Sequence, residues 1–156
     1  MREHRDIVFG EKGKVGLLDW LEHVVEQHYE GEKEVKVYST SLYKSDKVRK
    51  GKFPSVQIYP DGDEFERYND RTLMHEITVN LAVSTKGPEE EAFKESSRMA
   101  EELYDELRNL VPRLKGVQDP PLEGSIDYAW EGFHRKKHRN VQLSHAMVQM
   151  VYKFRS

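Results

Sequence analysis

From residue 73 to residue 84 the chain alternates: Ile77, Val79, Leu81 and Val83 are apolar, while Glu76, Thr78 and Asn80 between them are polar. A period of two puts successive side chains on opposite sides of an extended strand. The segment therefore predicts a strand with one buried and one wetted face. Whatever else the chain builds must lay an apolar layer against 77, 79, 81 and 83.

Two segments supply such a layer. In residues 13–29, Leu17, Leu21, Val24 and His28 recur at helical spacing, with Leu18 and Val25 beside them and Trp20 widening the stripe. Gly31 follows as a C-terminal stop. A second helix is expected after Gly87, with Pro88 at its first position, where no N–H is wasted. Glu89, Glu90 and Glu91 then meet the positive end of the helix dipole. Its apolar stripe is Ala92, Phe93, Met99, Ala100, Leu103, Leu107 and Leu110, and Pro112 ends it.

Further strands are expected at 34–42 (Val35, Val37, Ser39), 53–59 (Val56, Ile58), 125–133 (Ile126, Tyr128, Trp130) and 141–154 (Ala146, Val148, Met150, Tyr152, Phe154). Pro60-Asp61-Gly62-Asp63 reads as a turn, and 64–68 as a short returning strand. Residues 114–122 read as a loop. Strands joined by short turns favour antiparallel pairing. The expected fold is thus α+β: one domain over 1–156, mainly antiparallel sheet, with two amphipathic helices packed on one face. Residues 1–12 are expected as a flexible arm and 44–52 as a mobile basic loop.

Composition narrows the function classes. A chain of 156 residues can bury a core without staples. It has no cysteine, which removes disulfide scaffolds, thiolate zinc sites and cysteine nucleophiles. The charged start, Met1-Arg2-Glu3-His4-Arg5-Asp6, does not read as a signal peptide, and no apolar run reaches the ~20 residues of a membrane helix. Charged residues are 34% of the chain, above the roughly 25% of ordinary domains.

No segment spells a reaction. His134 and His138 have metal-ligand spacing if helical, but lie among Arg135, Lys136, Lys137 and Arg139, which oppose a dication. His75-Glu76 starts like a zinc protease motif but lacks its second His. Asp61-Gly62-Asp63 resembles the start of a calcium loop, yet Phe65 stands where the next ligand belongs. Phosphate-loop, dinucleotide and Gly-x-Ser-x-Gly patterns are missing. The reading is therefore no enzyme, no metal and no cofactor.

The charge is unevenly spread. Residues 44–52 carry Lys44, Lys47, Arg49, Lys50 and Lys52 against Asp46, a local net of +4. Arg135, Lys136, Lys137 and Arg139 make a second +4 segment. Residues 89–106 carry eight acids, Glu101, Glu102 and Asp105 among them, against Lys94 and Arg98, a net of −6. Opposite charges on different faces favour head-to-tail association of identical copies, the geometry that closes rings. These twelve residues, nine basic and three acidic, are the candidate protein-interaction set.

Several segments together resemble the tail-terminator (tail-completion) proteins of long-tailed bacteriophages. They are the leading amphipathic helix, Phe53-Pro54-Ser55-Val56-Gln57-Ile58-Tyr59, the strand from Ile77 to Gly87, and the acidic helix with Met99-Ala100-Glu101-Glu102-Leu103-Tyr104-Asp105-Glu106-Leu107. Ile126-Asp127-Tyr128 and Ala146-Met147-Val148-Gln149-Met150-Val151-Tyr152 complete the likeness. The resemblance implies an α+β subunit of a hexameric ring that caps the tail tube, stops its polymerisation and forms the joint to the head connector. Its partners would be itself, the tube protein and connector or neck proteins, with no membrane and DNA only as passing cargo. Its place would be the virion, after assembly in the host cytoplasm. The basic stretches 44–52 and 134–139 are longer or more charged than that pattern. A head-closure or connector subunit shares the same features. A small nucleic-acid-binding protein is the reading of a different class, because two +4 segments could contact phosphates.

Overall fold

The alternating segment forms the centre of the molecule. In the computed structural model it is β3 (Thr72–Gly87), flanked by β2 (Ser55–Asn69) and β5 (Gln142–Arg155), with β1 (Lys36–Ser39) and β4 (Glu123–Asp127) at the edges. The helices are α1 (His4–Phe9), α2 (Leu17–His28) and α3 (Glu89–Leu107). The structure describes all residues except 1–3, 12, 32–33, 43, 45–51, 70–71, 128–141 and 156, and the side chains of 4, 62–69, 72–73 and 142 are also left aside.

The fold is α+β, a single five-stranded sheet in the order β1-β2-β3-β5-β4. Registry sets one apolar face. Val56 pairs with Val83 and Ile58 with Leu81; across the next seam Val83 meets Ala146, Leu81 meets Val148, Val79 meets Met150 and Ile77 meets Tyr152. All ten are buried, and they share one core cluster with Leu17, Leu18, Trp20, Leu21 and Val25 of α2 and Met99, Ala100, Leu103 and Leu107 of α3. The two amphipathic helices thus cover one face. Helix α2 lies over β1 and β2, and α3 over β3, β5 and β4.

Five expectations change. First, the arm is not free: α1 buries Ile7 and Val8 in the same core. Burying each such side chain contributes about 1.5–3 kcal/mol, enough to hold a helix too short to stand alone. Second, the sheet is mixed, because β1 runs parallel to β2. Segment 40–54 is long enough for the crossover that a parallel pair needs. Third, Pro60-Asp61-Gly62-Asp63 is no turn. β2 continues through it with a register shift between Pro60 and Gly62, and the chain reverses only between Asn69 and Thr72. The bulge absorbs the residues that read as a turn. Gln149 Nε2 donates to Asp61 Oδ2 at 3.0 Å and to Asn80 Oδ1 at 3.1 Å, tying the bulge across the sheet.

Fourth, Phe93 leaves the helix stripe and is 46% exposed, because positions 92, 96, 99, 100, 103 and 107 make the buried line. Fifth, the second face of the sheet is not wetted at its centre. Ser55, Gln57, Tyr59, Asn80, Ala82, Ser84 and His145 are all buried there. Ser84 Oγ and His145 Nδ1 lie 2.8 Å apart, and Ser55, Ser84 and His145 fall in one row across three strands. The expected strand 125–133 is seen as β4 to Asp127; its remainder lies outside the described residues.

Tyr152 is fully buried on the apolar face, and its hydroxyl has no hydrogen-bond partner among the described residues. Burial pushes its phenol well above the ordinary value, and Tyr59, also chiefly through burial, is pushed up to about 12. Unfolded tyrosines ionise near pH ~10. Their folded counterparts stay protonated longer, so stability is intact below that pH and is lost as pH rises above it. Removing the unpaired hydroxyl is also expected to cost nothing. Tyr152→Phe should therefore be neutral or stabilising by about 1 kcal/mol at pH 7 and unfold less steeply with alkali. Urea titrations at pH 7 and pH 11 test both points; a loss above 1 kcal/mol at pH 7 would contradict them.

Candidate assembly surface

The root of the basic segment is held by one buried amide. Gln57 points to the polar face of β2, and its side chain is fully covered. Its Oε1 accepts from the Thr40 hydroxyl at 3.0 Å and the Lys44 N–H at 2.8 Å. Its Nε2 donates to the Tyr38 hydroxyl at 3.1 Å and to the Lys44 carbonyl at 3.3 Å. A primary amide has two donors and two acceptor sites, and all four are used. Lys44 is thereby fixed on the sheet side opposite the helices, with its side chain exposed. Exposed Lys52 leads into β2, and exposed Lys36 on β1 pairs with Ser55. Three lysines therefore gather around the β1 edge on the face opposite the helices, with exposed Glu34 beside them. On the helix side of that edge the Ser39 hydroxyl donates to Glu22 at 3.4 Å, with Asp19 and Glu26 close by on α2.

The other side of the molecule is acidic. Gly124 of β4 sits under α3: an added Cβ would meet Tyr104 Cε2 and Met150 Sδ, each at 2.8 Å. That close approach turns the Tyr104 side of α3 towards the β4 edge, where Glu123 and Asp127 are exposed. Glu102 and Glu106 turn towards α2, with His28 Nε2 3.8 Å from Glu102 and His28 Nδ1 4.0 Å from Glu106. Glu101 and Asp105 face outwards between these directions. Arg98 bonds Glu102, Lys94 lies 3.2 Å from Glu90, and Arg108 lies 3.6 Å from Asp105. Such exposed pairs contribute little to stability, typically under ~1 kcal/mol. They leave the helix strongly negative.

Of the twelve candidate residues, Lys44, Lys52, Glu101, Glu102 and Asp105 are placed, and they fall at opposite sides of the sheet. Lys47, Arg49, Lys50, Arg135, Lys136, Lys137 and Arg139 lie outside the described residues, as do His134 and His138. His75 is buried in β3 opposite Phe154, while Glu76 beside it is exposed, so the two share no site. Among the described residues no group of three or more His, Asp or Glu could hold a metal ion, and no helix is long and apolar enough to cross a membrane. Gln57 and the two sheet edges escaped the sequence reading. A polar residue at an alternating position ordinarily means solvent, and an edge exists only once strand order is known. No protein-family model matches the chain, and no curated protein matches it in sequence.

Proposed function

We infer that this chain is a structural subunit that joins copies of itself into a ring, and that the ring terminates the tail tube of a long-tailed bacteriophage. One observation carries the reading: on the face of the sheet opposite the helices, Lys36 and Lys44 gather at the β1 side, while Glu123 and Asp127 make the β4 side acidic. A surface that is positive at one end and negative at the other is self-complementary under rotation, not under a two-fold axis, so it favours a closed ring over a symmetric dimer. The α+β fold is the class the resemblance implies.

The mechanism is capping. The end of a growing tube exposes unpaired backbone and apolar surface, and a ring of matched symmetry covers it and halts addition. The opposite face of the ring offers the joint to the head connector. DNA passes through the opening as cargo, and no bond is made or broken. The basic segment 44–52 would contribute contact to the next subunit or to the tube, with Gln57 setting where it starts.

Charge exchange tests the ring. Glu123→Lys with Asp127→Lys turns the β4 edge from −2 to +2, so both edges are positive; Lys36→Glu with Lys44→Glu turns the lysines of the β1 edge from +2 to −2, so both are negative. Each variant should fold within about 0.5 kcal/mol of the parent, because these are surface positions. Each alone should remain monomeric in native mass spectrometry at low salt. An equimolar mixture should recover multimers, because each variant then meets its complement at both interfaces. Multimers that persist in either variant alone would remove the electrostatic basis of the reading.

A further inference from the structure

We propose that neighbouring copies in this ring join edge to edge, β4 of one copy pairing with β1 of the next, so that one sheet runs unbroken around the assembly. The inference rests on the ring reading and adds the surface, register and chemistry of its joint. The partner is a second copy of this chain.

Strand direction supports it. β1 is parallel to β2, and every later seam is antiparallel, so β1 and β4 run in opposite directions. A rotation about an axis along the strands preserves those directions. It brings β4 of one copy against β1 of the next as an antiparallel pair, which is slightly the more stable kind. Among the described residues no strand covers the outer side of either edge. Unpaired edges are templates for pairing, and proteins that avoid it blunt them with a bulge, proline or charge. Neither short strand contains proline, and the charges they carry, Lys36 on β1 and Glu123 and Asp127 on β4, are of opposite sign, so they repel like edges and match across this joint.

Side chains select one register. Set Lys36 opposite Asp127, and Val37 falls opposite Ile126, Tyr38 opposite Ser125 and Ser39 opposite Gly124. The faces then agree. Val37 and Ile126 both point to the apolar layer, in register with Val56 and Val148 respectively, and each is only partly buried in the lone chain. Lys36 and Asp127 both lie on the polar side, in register with Ser55 and Met147. Pairing would finish burying two core residues and place a cation against a carboxylate. A slip of one residue would set polar against apolar side chains along the seam. Gly124, opposite Ser39 at the end of the joint, is covered by Tyr104, whose ring takes the space a side chain would need there.

The chain has no cysteine, which gives a clean chemical test. In the double variant Lys36→Cys and Asp127→Cys, oxidation should yield a ladder of covalent multimers. Peptide mapping should locate the 36–127 link, and each single variant should stop at dimers. A short bis-maleimide run in parallel covers the case in which the local geometry disfavours a disulfide. If the double variant sediments as a multimer but neither reagent links 36 to 127, the edge joint is wrong while the ring stands. If the parent chain is monomeric at low salt and high concentration, with and without tail tube, the ring and the joint both fail.

Discussion

Replacing Gln57 with leucine is expected to cost about 2–4 kcal/mol and to loosen residues 40–44. Leucine fills much of the same space but neither donates nor accepts. The Thr40 hydroxyl, the Lys44 N–H and the Lys44 carbonyl would each lose a partner. A buried group left without its bond costs about 1–3 kcal/mol, and partial escape to water reduces the total. Two measurements check it. Urea unfolding should show the loss, and amide exchange at Lys44 should quicken well beyond that of the β3 core. Assembly should weaken more than stability alone explains, because the root of the basic segment is no longer held against the sheet. Gln57→Glu gives a second reading: a carboxylate can accept from Thr40 and the Lys44 N–H, but it repels the Lys44 carbonyl. It should fall between parent and leucine variant. A Gln57→Leu protein with unchanged stability and unchanged Lys44 exchange would show that the four-way clamp has no energetic weight.

The largest effect is expected at Gly16. A methyl group there would lie 2.2 Å from the Gly10 nitrogen, 2.5 Å from the Phe9 carbonyl carbon and 2.7 Å from the Val8 oxygen. All three are backbone atoms, so no rotamer change relieves the clash. Gly16→Ala must push α1 off the start of α2. That releases Ile7 and Val8, which are 2% and 0% exposed. At about 1.5–3 kcal/mol for each side chain, the cost is about 3–6 kcal/mol. Chemical denaturation measures the loss, and trypsin should cut after Arg5 or Lys14 in the variant before it cuts the parent. Equal stability in the two proteins, with α1 still protected, would mean that the crossing of the two segments is looser than described.

These two positions also mark where sequence reasoning stops. The stripes of α2 and α3 are legible because a helix repeats every 3.6 residues, and β3 and β5 because a strand repeats every two. Gly16 and Gln57 carry no such signature. Gly16 reads as part of the helix expected over 13–29, whereas α2 starts only at Leu17 with Gly16 before it; its requirement for empty space comes from Gly10 and Phe9 folding back over it. Gln57 reads as solvent-facing until the segment after β1 lands on it. The bulge at Asp61 reads as a turn for a related reason: Pro-Asp-Gly has the local chemistry of a turn, and the long registry between β2 and β3 overrides it.

The candidate surface divides in the same way. Runs of lysine and glutamate can be counted in the chain, and their separation into opposite charges follows from counting alone. Which of them oppose each other across the molecule does not. That depended on β1 taking the edge of the sheet beside β2, which puts Lys36, Lys44 and Lys52 at one edge, and on Tyr104 closing over Gly124, which puts the acidic helix near the other. Periodicity acts over a few residues and so determined the elements and the α+β class. Strand order, the parallel edge and the buried polar face arise from contacts between residues far apart in the chain, and only the folded structure decides them.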